Sequence, residues 1–173
     1  MRLRAPWLFL FPVVALATTI VPHSLVDRAR EADRVALVQV LESRAVVEGD
    51  AERGAIKTLT RLLIGQDVKG TGPREVTVVQ IGGQVGARAL RIPGDAAFVV
   101  GETALVFLKC RSPERCALVA LGEGRLSVVG EGVVYRDLFS GQWVHRPLLD
   151  VLRELSTLVP PASPVPPLSR GTR

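Results

Sequence analysis

Ser140, His145 and a carboxylate from Asp137 or Asp150 are the residue types that hydrolytic chemistry needs: a nucleophile, a base and a group to orient it. They fall within eleven positions, which chance readily supplies. Ser140-Gly141 reads equally as a turn, and His145, two residues before Pro147, as a helix-entry residue, so no catalytic residue is assigned. Metal chemistry is served no better. His23 and His145 are the two histidines, and their separation in the chain gives no local ligand pair. Glu48, Asp50 and Glu52 lack the oxygen-ligand spacing of a calcium loop and read as a solvated hairpin tip. Gly82-Gly83-Gln84-Val85-Gly86 resembles a phosphate loop only in composition. Residues 87–93 offer no following helix whose amides would face an anion, so these glycines are expected to form a bulge or to adopt positive φ at a strand end. No cofactor is implied.

Cys110 and Cys116 are the two cysteines. They bracket the polar stretch Arg111-Ser112-Pro113-Glu114-Arg115 between apolar runs at 104–108 and 117–121. Opposed positions of a hairpin bring side chains to disulfide separation, so the pair is expected to be bonded. In the chain-entropy view so short a loop gives about 2 kcal/mol. The alternative, a redox or metal pair, lacks both the Cys-x-x-Cys spacing and a nearby histidine.

A bonded pair requires an oxidising compartment, and the N-terminus points there. Arg2 and Arg4 precede an uncharged run from Ala5 to Val21, and Ala15-Leu16-Ala17 has the small-x-small pattern of a signal-peptidase site. Residues 1–17 therefore read as a signal peptide, and localisation as exported, periplasmic or extracellular. The rival is a retained anchor, for which seventeen uncharged residues containing Pro6 and Pro12 are short, and a membrane partner follows only in that case. Cleavage leaves 156 of the 173 residues, one domain's worth, and 20 basic against 17 acidic residues, a net charge of +3 instead of +5. The arginines are dispersed and aromatics are 5% of the chain. A nucleic-acid groove combines a basic track with stacking rings, so no nucleic-acid partner is expected.

The elements that must position these residues are mostly strands. Ser24 and Asp27 form a cap signal before a short helix carrying Leu25, Val26, Ala29 and Ala32. Strands are expected over 35–47, 56–64, 75–81 and 103–108, with Val76, Val78 and Gln80 facing one way and Thr77, Val79 and Ile81 the other. Pro93-Gly94 reads as a type II turn. Further short strands follow at 117–121, 125–129 and 133–138. Pro147 opens an amphipathic helix with a stripe of Leu148, Leu149, Leu152, Leu155 and Leu158. Five prolines after Val159 end it in an extended or disordered tail, 160–173. The fold class is mainly β, a small antiparallel barrel or sandwich over 18–159 with a helix at each end.

The order of Ala32-Asp33, a valine-rich strand, Lys69-Gly70, residues 76–83, Ile92-Pro93-Gly94, residues 98–108 and residues 118–122 resembles a family of exported bacterial β-barrel proteins. The resemblance covers most of the mature chain. It implies a barrel similar to the oligonucleotide/oligosaccharide-binding (OB) type, and an association of some members with matrixin-like metalloproteases. The family's first strand is expected to carry a glycine where this chain has Val38. The matching motifs are turns and core positions, so no catalytic residue is carried over.

Three function classes follow. A hydrolase rests only on the weak triplet above. A protease inhibitor or protease-associated partner is the second. Tissue inhibitors of metalloproteases, on a barrel of this general type, place an N-terminal cysteine on the zinc, which a chain starting at Thr18 lacks, so a substrate-like loop at Arg111–Arg115 would have to serve. The third, a noncatalytic binding or scaffold module for an unknown protein or cell-envelope ligand, agrees with the mixed surface charge and the stapled hairpin, and is the expected function.

Overall fold

The computed structural model describes residues 23–50, 53–137 and 140–158. The expected signal peptide and the proline-rich tail lie outside them. Ser24 caps helix α1 (Leu25–Glu31) through a reciprocal box in which its hydroxyl accepts from the Asp27 amide and its own amide donates to the Asp27 carboxylate. At the other end of α1, Lys69 Nζ donates to the carbonyls of Ala29 at 2.7 Å and Ala32 at 2.6 Å. A cation there satisfies carbonyls that the last turn leaves without partners.

Among the described residues ten strands follow: β1 (Arg34–Glu48), β2 (Ala55–Lys69), β3 (Glu75–Ile81), β4 (Gly83–Val85), β5 (Arg88–Leu90), β6 (Thr103–Ser112), β7 (Arg115–Leu118), β8 (Arg125–Val129), β9 (Gly132–Arg136) and β10 (Trp143–Pro147), before helix α2 (Leu148–Thr157). β1 pairs with β2, β2 with β3, β3 with β7, β7 with β6, and β6 again with β1. The ring closes into a five-stranded barrel of the expected OB-like kind. One join differs from an all-antiparallel ladder: β3 and β7 run parallel, at Thr77↔Arg115 and Val78↔Cys116. That is the consequence of β6 returning beside β1 before β7 reaches β3. The remaining strands, β8–β9–β10, extend the sheet from the other edge of β6.

Because β1 and β6 form both a barrel wall and the floor of a second layer, each is buried on two faces. Ala36, Val38, Val40, Ala104, Val106 and Leu108 fill the barrel with Leu62, Ile64, Val76 and Val78. Val35, Leu105 and Phe107 point outward against Leu126, Val133, α1 and α2. Their sequences are accordingly continuous apolar runs, without clean alternation. Register shifts in the β1–β2 pairing flank Val38 and Leu41. The bends a barrel needs are thus made by bulges, with Val38 buried inside.

Three sequence expectations shift. The apolar run 117–121 does not continue as a strand: β7 ends at Leu118, Ala120 and Leu121 take positive φ, and a 3₁₀ turn spans Leu121–Gly124. A Cβ on Gly122 or Gly124 would stand 2.3 Å from the carbonyl oxygen of Gly94 or Val119, so close backbone approach governs this turn. The second shift is Pro147, which ends β10 and caps α2 instead of opening it. The third concerns the helix stripe. Val151 and Leu155 are the fully buried positions, Leu152 is half-buried and Leu149 is 71% exposed. We therefore expect Leu155→Ala to cost about 2–5 kcal/mol in urea unfolding and Leu149→Ala to stay within about 0.5 kcal/mol. Equal effects of the two would place the helix differently.

Candidate functional site

The end of the barrel where β1 and β2 turn and β3 finishes carries a groove of about 590 Å³. Its floor is set by two glycines. Gly82 and Gly83 have φ of 107° and 126°, turning the chain sharply out of β3 into the β4–β5 hairpin. A Cβ on Gly83 would meet Thr58 Oγ1 at 2.6 Å and Ala45 Cβ at 2.8 Å. Thr58 Oγ1 donates to the Gly82 carbonyl at 2.8 Å, fixing the turn against β2. The expectation of positive φ at this strand end holds, and the hairpin it launches was not expected from sequence.

The opposite wall is the segment 91–98. The Pro93-Gly94 turn forms as expected, with Gly94 at φ 79° and the Asp95 amide donating to the Ile92 carbonyl. Gln80, last of the inward-facing positions on β3, anchors this wall: its amide nitrogen donates at 2.8 Å to both Asp95 Oδ1 and the Ala96 carbonyl. Phe98 then packs against the barrel core, beneath the Arg125 guanidinium at 5.5 Å from its ring, and Arg125 pairs with Glu102 at 2.5 Å. Gln80 and Asp95 are positioning residues that sequence reasoning missed. The available signal was an amide side chain in the inward register of an otherwise apolar strand.

The sequence-derived candidates are dispersed. Cys110 and Cys116 are paired across β6–β7 and bonded. The hairpin tip is exposed from Arg111 to Arg115. Asp33, at the α1–β1 junction, holds the base of this hairpin. Its two oxygens accept from Lys109 Nζ and from the Cys110 amide, both at 2.9 Å. The Lys109 hydrogen bond first, then that amide and the charges of Lys109 and Lys69, keep the Asp33 carboxyl below its ordinary pKa of 3.8. A depressed folded-state pKa adds stability that is present above the unfolded value and is lost as pH falls through the folded one. Urea midpoints measured from pH 6 down to 2 should therefore fall more steeply below pH 3.8 for the wild type than for Asp33→Asn; identical slopes would remove this role.

Ser140 and Asp137 do meet, but as a turn: the Ser140 amide and hydroxyl donate to Asp137 Oδ1 at 2.8 and 3.1 Å. His145 lies within β10, opposite Val134, and is not a helix-entry residue. Asp150 pairs with Arg153 on α2. Glu48 pairs with Lys57 and the Asp50 carbonyl accepts from the Gly54 amide, as a hairpin tip would, while Glu52 lies outside the described residues. Among the described residues no group of three His, Cys, Asp or Glu side chains is placed to hold a metal ion.

His23 and Asp137 instead line a smaller cleft, about 200 Å³, with Arg28, Tyr135, Arg146 and Glu154. Arg28 is only 4% exposed. Its guanidinium lies 5.7 Å from the Phe107 ring centre and 5.9 Å from that of Tyr135, and donates to the Glu123 carbonyl. Burial lowers its pKa, and the charge of Glu123 opposes that shift. Arg146 is paired with Glu154 at 2.7 Å. With both cations met by carboxylates or rings, this cleft joins α1 to the β9–β10 layer.

No protein-family model and no curated protein matches this sequence.

Proposed function

We propose that this protein is an exported, noncatalytic binding module whose ligand is an extended peptide segment of a cell-envelope or secreted protein, seated in the groove between the β4–β5 hairpin and residues 91–98. The lining of the groove carries this reading, with a volume of about 590 Å³ that is partly open to solvent. Its walls offer main chain, the side chain of Gln84, whose amide nitrogen donates to the Gly86 carbonyl at 3.3 Å, and apolar surface from Leu90, Ile92 and Phe98. Such a mixture complements a peptide, whose own groups alternate between amides and side chains. On the adjoining outer face of the barrel basic and acidic side chains alternate, with Arg44 and Arg61 at 3.3 and 3.8 Å from Glu42.

A protease-associated role is the second reading, favoured by the exposed, disulfide-stapled tip Arg111–Arg115. Its geometry supports it less well. Ser112 and Arg115 are already paired across the strands, leaving a two-residue turn where an inhibitor needs an extended loop.

Fluorescence-polarisation titrations of labelled unstructured peptides and neutral oligosaccharides against the wild type, Ala89→Trp and Ala97→Trp test the groove. Both alanines line it and are exposed, so the indoles should fill it without unfolding the barrel. Peptide binding weakened at least tenfold by either variant is expected. Binding of oligosaccharide alone, or peptide binding unchanged in both variants, overturns the assignment.

A further inference from the structure

β10 ends the sheet, pairing with β9 on one side and with no described strand on the other. The parity of the ladder tells which of its backbone groups face outward. The Asp137 amide donates to the Gln142 carbonyl and the Leu148 amide to the Glu131 carbonyl, so even-numbered residues of β10 make the bonds to β9. Trp143 and His145 therefore turn both N–H and C=O to the open edge, and Pro147, which has no N–H, closes its end.

The side chains reinforce the pattern. Trp143, His145 and Pro147 share the face away from α2 and are exposed, Trp143 by 68%. Short edge strands are usually guarded by a charge or a proline within the pairing stretch. Here the proline stands only at its end, and the charged side chain within the strand, Arg146, is on the α2 side, paired with Glu154 at 2.7 Å.

We propose that this edge pairs with the same edge of a second copy, antiparallel about a two-fold axis at Val144. This register is self-complementary. Trp143 falls opposite His145 of the second molecule in a hydrogen-bonded pair, and the symmetric pair gives four ladder bonds in all. Val144 falls opposite its own equivalent, and Gln142 opposite Arg146. No like charges confront one another, and the two Trp143 rings lie on the diagonal, within reach of aromatic contact. Pro147 falls opposite Gly141, beyond the paired stretch, where its missing donor costs nothing. A foreign strand would find the same four bonds but not the matched Trp–His and Val–Val pairs. Each copy would thereby present its barrel groove at an opposite end of a continuous sheet.

Sedimentation velocity of the purified protein from 1 to 300 μM is the test, with two edge variants, and oxidative cross-linking of two cysteine variants accompanies it. The wild type should show a concentration-dependent dimer. Trp143→Lys, which places an edge charge on an already exposed side chain, and His145→Pro, which removes an outward N–H, should each weaken dimerisation at least tenfold. Val144→Cys should form a disulfide-linked dimer under mild oxidation, because directly opposed non-hydrogen-bonded positions bring Cβ atoms to about 4.5–5.5 Å; Gln142→Cys, facing Arg146, should not. A wild type that stays monomeric to 300 μM, a dimer insensitive to Trp143→Lys, or cross-linking at 142 in place of 144 would overturn the proposal. Trp143→Lys carries the result should His145→Pro fail to fold.

Discussion

Replacing Phe107 by alanine should destabilise the protein by about 3–5 kcal/mol, the range for removing a fully enclosed aromatic side chain. Phe107 has no exposed surface and stands where β6 meets the second layer, packed among Leu105, Val119, Leu126 and Val151. Its removal leaves a cavity that two layers of backbone cannot easily collapse. It also strips one of the two rings from Arg28, whose buried guanidinium depends on them for compensation. Phe107→Leu keeps most of the volume but loses the ring, so the difference between the two variants in urea unfolding isolates the cavity from the cation contact. A loss under 1 kcal/mol for Phe107→Ala would mean that the barrel does not rely on its outer layer.

Asp67→Ala is expected to destabilise the protein by about 3 kcal/mol. Arg34 is 4% exposed, and its guanidinium spans the Asp67 carboxylate at 2.6 and 3.0 Å while donating to the Pro73 carbonyl at 2.9 Å. Removing one partner of such a pair leaves a charge out of water without a counter-charge, at a typical cost of 3–5 kcal/mol. The lower end applies because the Asp67 side chain retains 29% of its exposure, which admits solvent screening. Arg34→Met with Asp67→Leu should recover much of the loss, since no isolated charge then remains. If the double variant is as unstable as Asp67→Ala, the pair acts chiefly by holding the 70–73 turn against β1.

Local chemistry made much of the fold legible. Ser24 and Asp27 announce a cap because hydroxyl and carboxylate meet backbone amides within one turn, and that box forms. The alternation of Val76, Val78 and Gln80 against Thr77, Val79 and Ile81 resolves β3 because one face of that strand is barrel interior and the other is not. The cysteine pair was readable for the same reason: a short polar stretch between apolar runs is a hairpin, and a hairpin opposes its own residues. Leu149 shows the limit of such reasoning. Its hydrophobicity matches that of Leu155, yet helical spacing cannot tell which side of an amphipathic stripe meets the sheet, and Val151 occupies the buried centre instead.

The groove lay further out of reach. Gln80 and Asp95 are fifteen positions apart and carry no motif; they become partners only because the 91–98 segment folds back across the barrel end. Likewise, Ser140, His145 and Asp137 are neighbours in the chain but are given separate tasks by a turn and an edge strand.

The Ser24 cap, the two faces of β3, the Pro93-Gly94 turn and the cysteine bridge depend on contacts within a few residues or on a period that repeats along one element, and residue order alone settled them. Closure of the ring, the parallel join of β3 to β7, the burial of β1 and β6 on both faces and the place of β10 as the last described strand of the sheet depend on which distant segments become neighbours. That choice is made by competition among many apolar surfaces for the same two cores, so it is resolved only when the whole chain has packed.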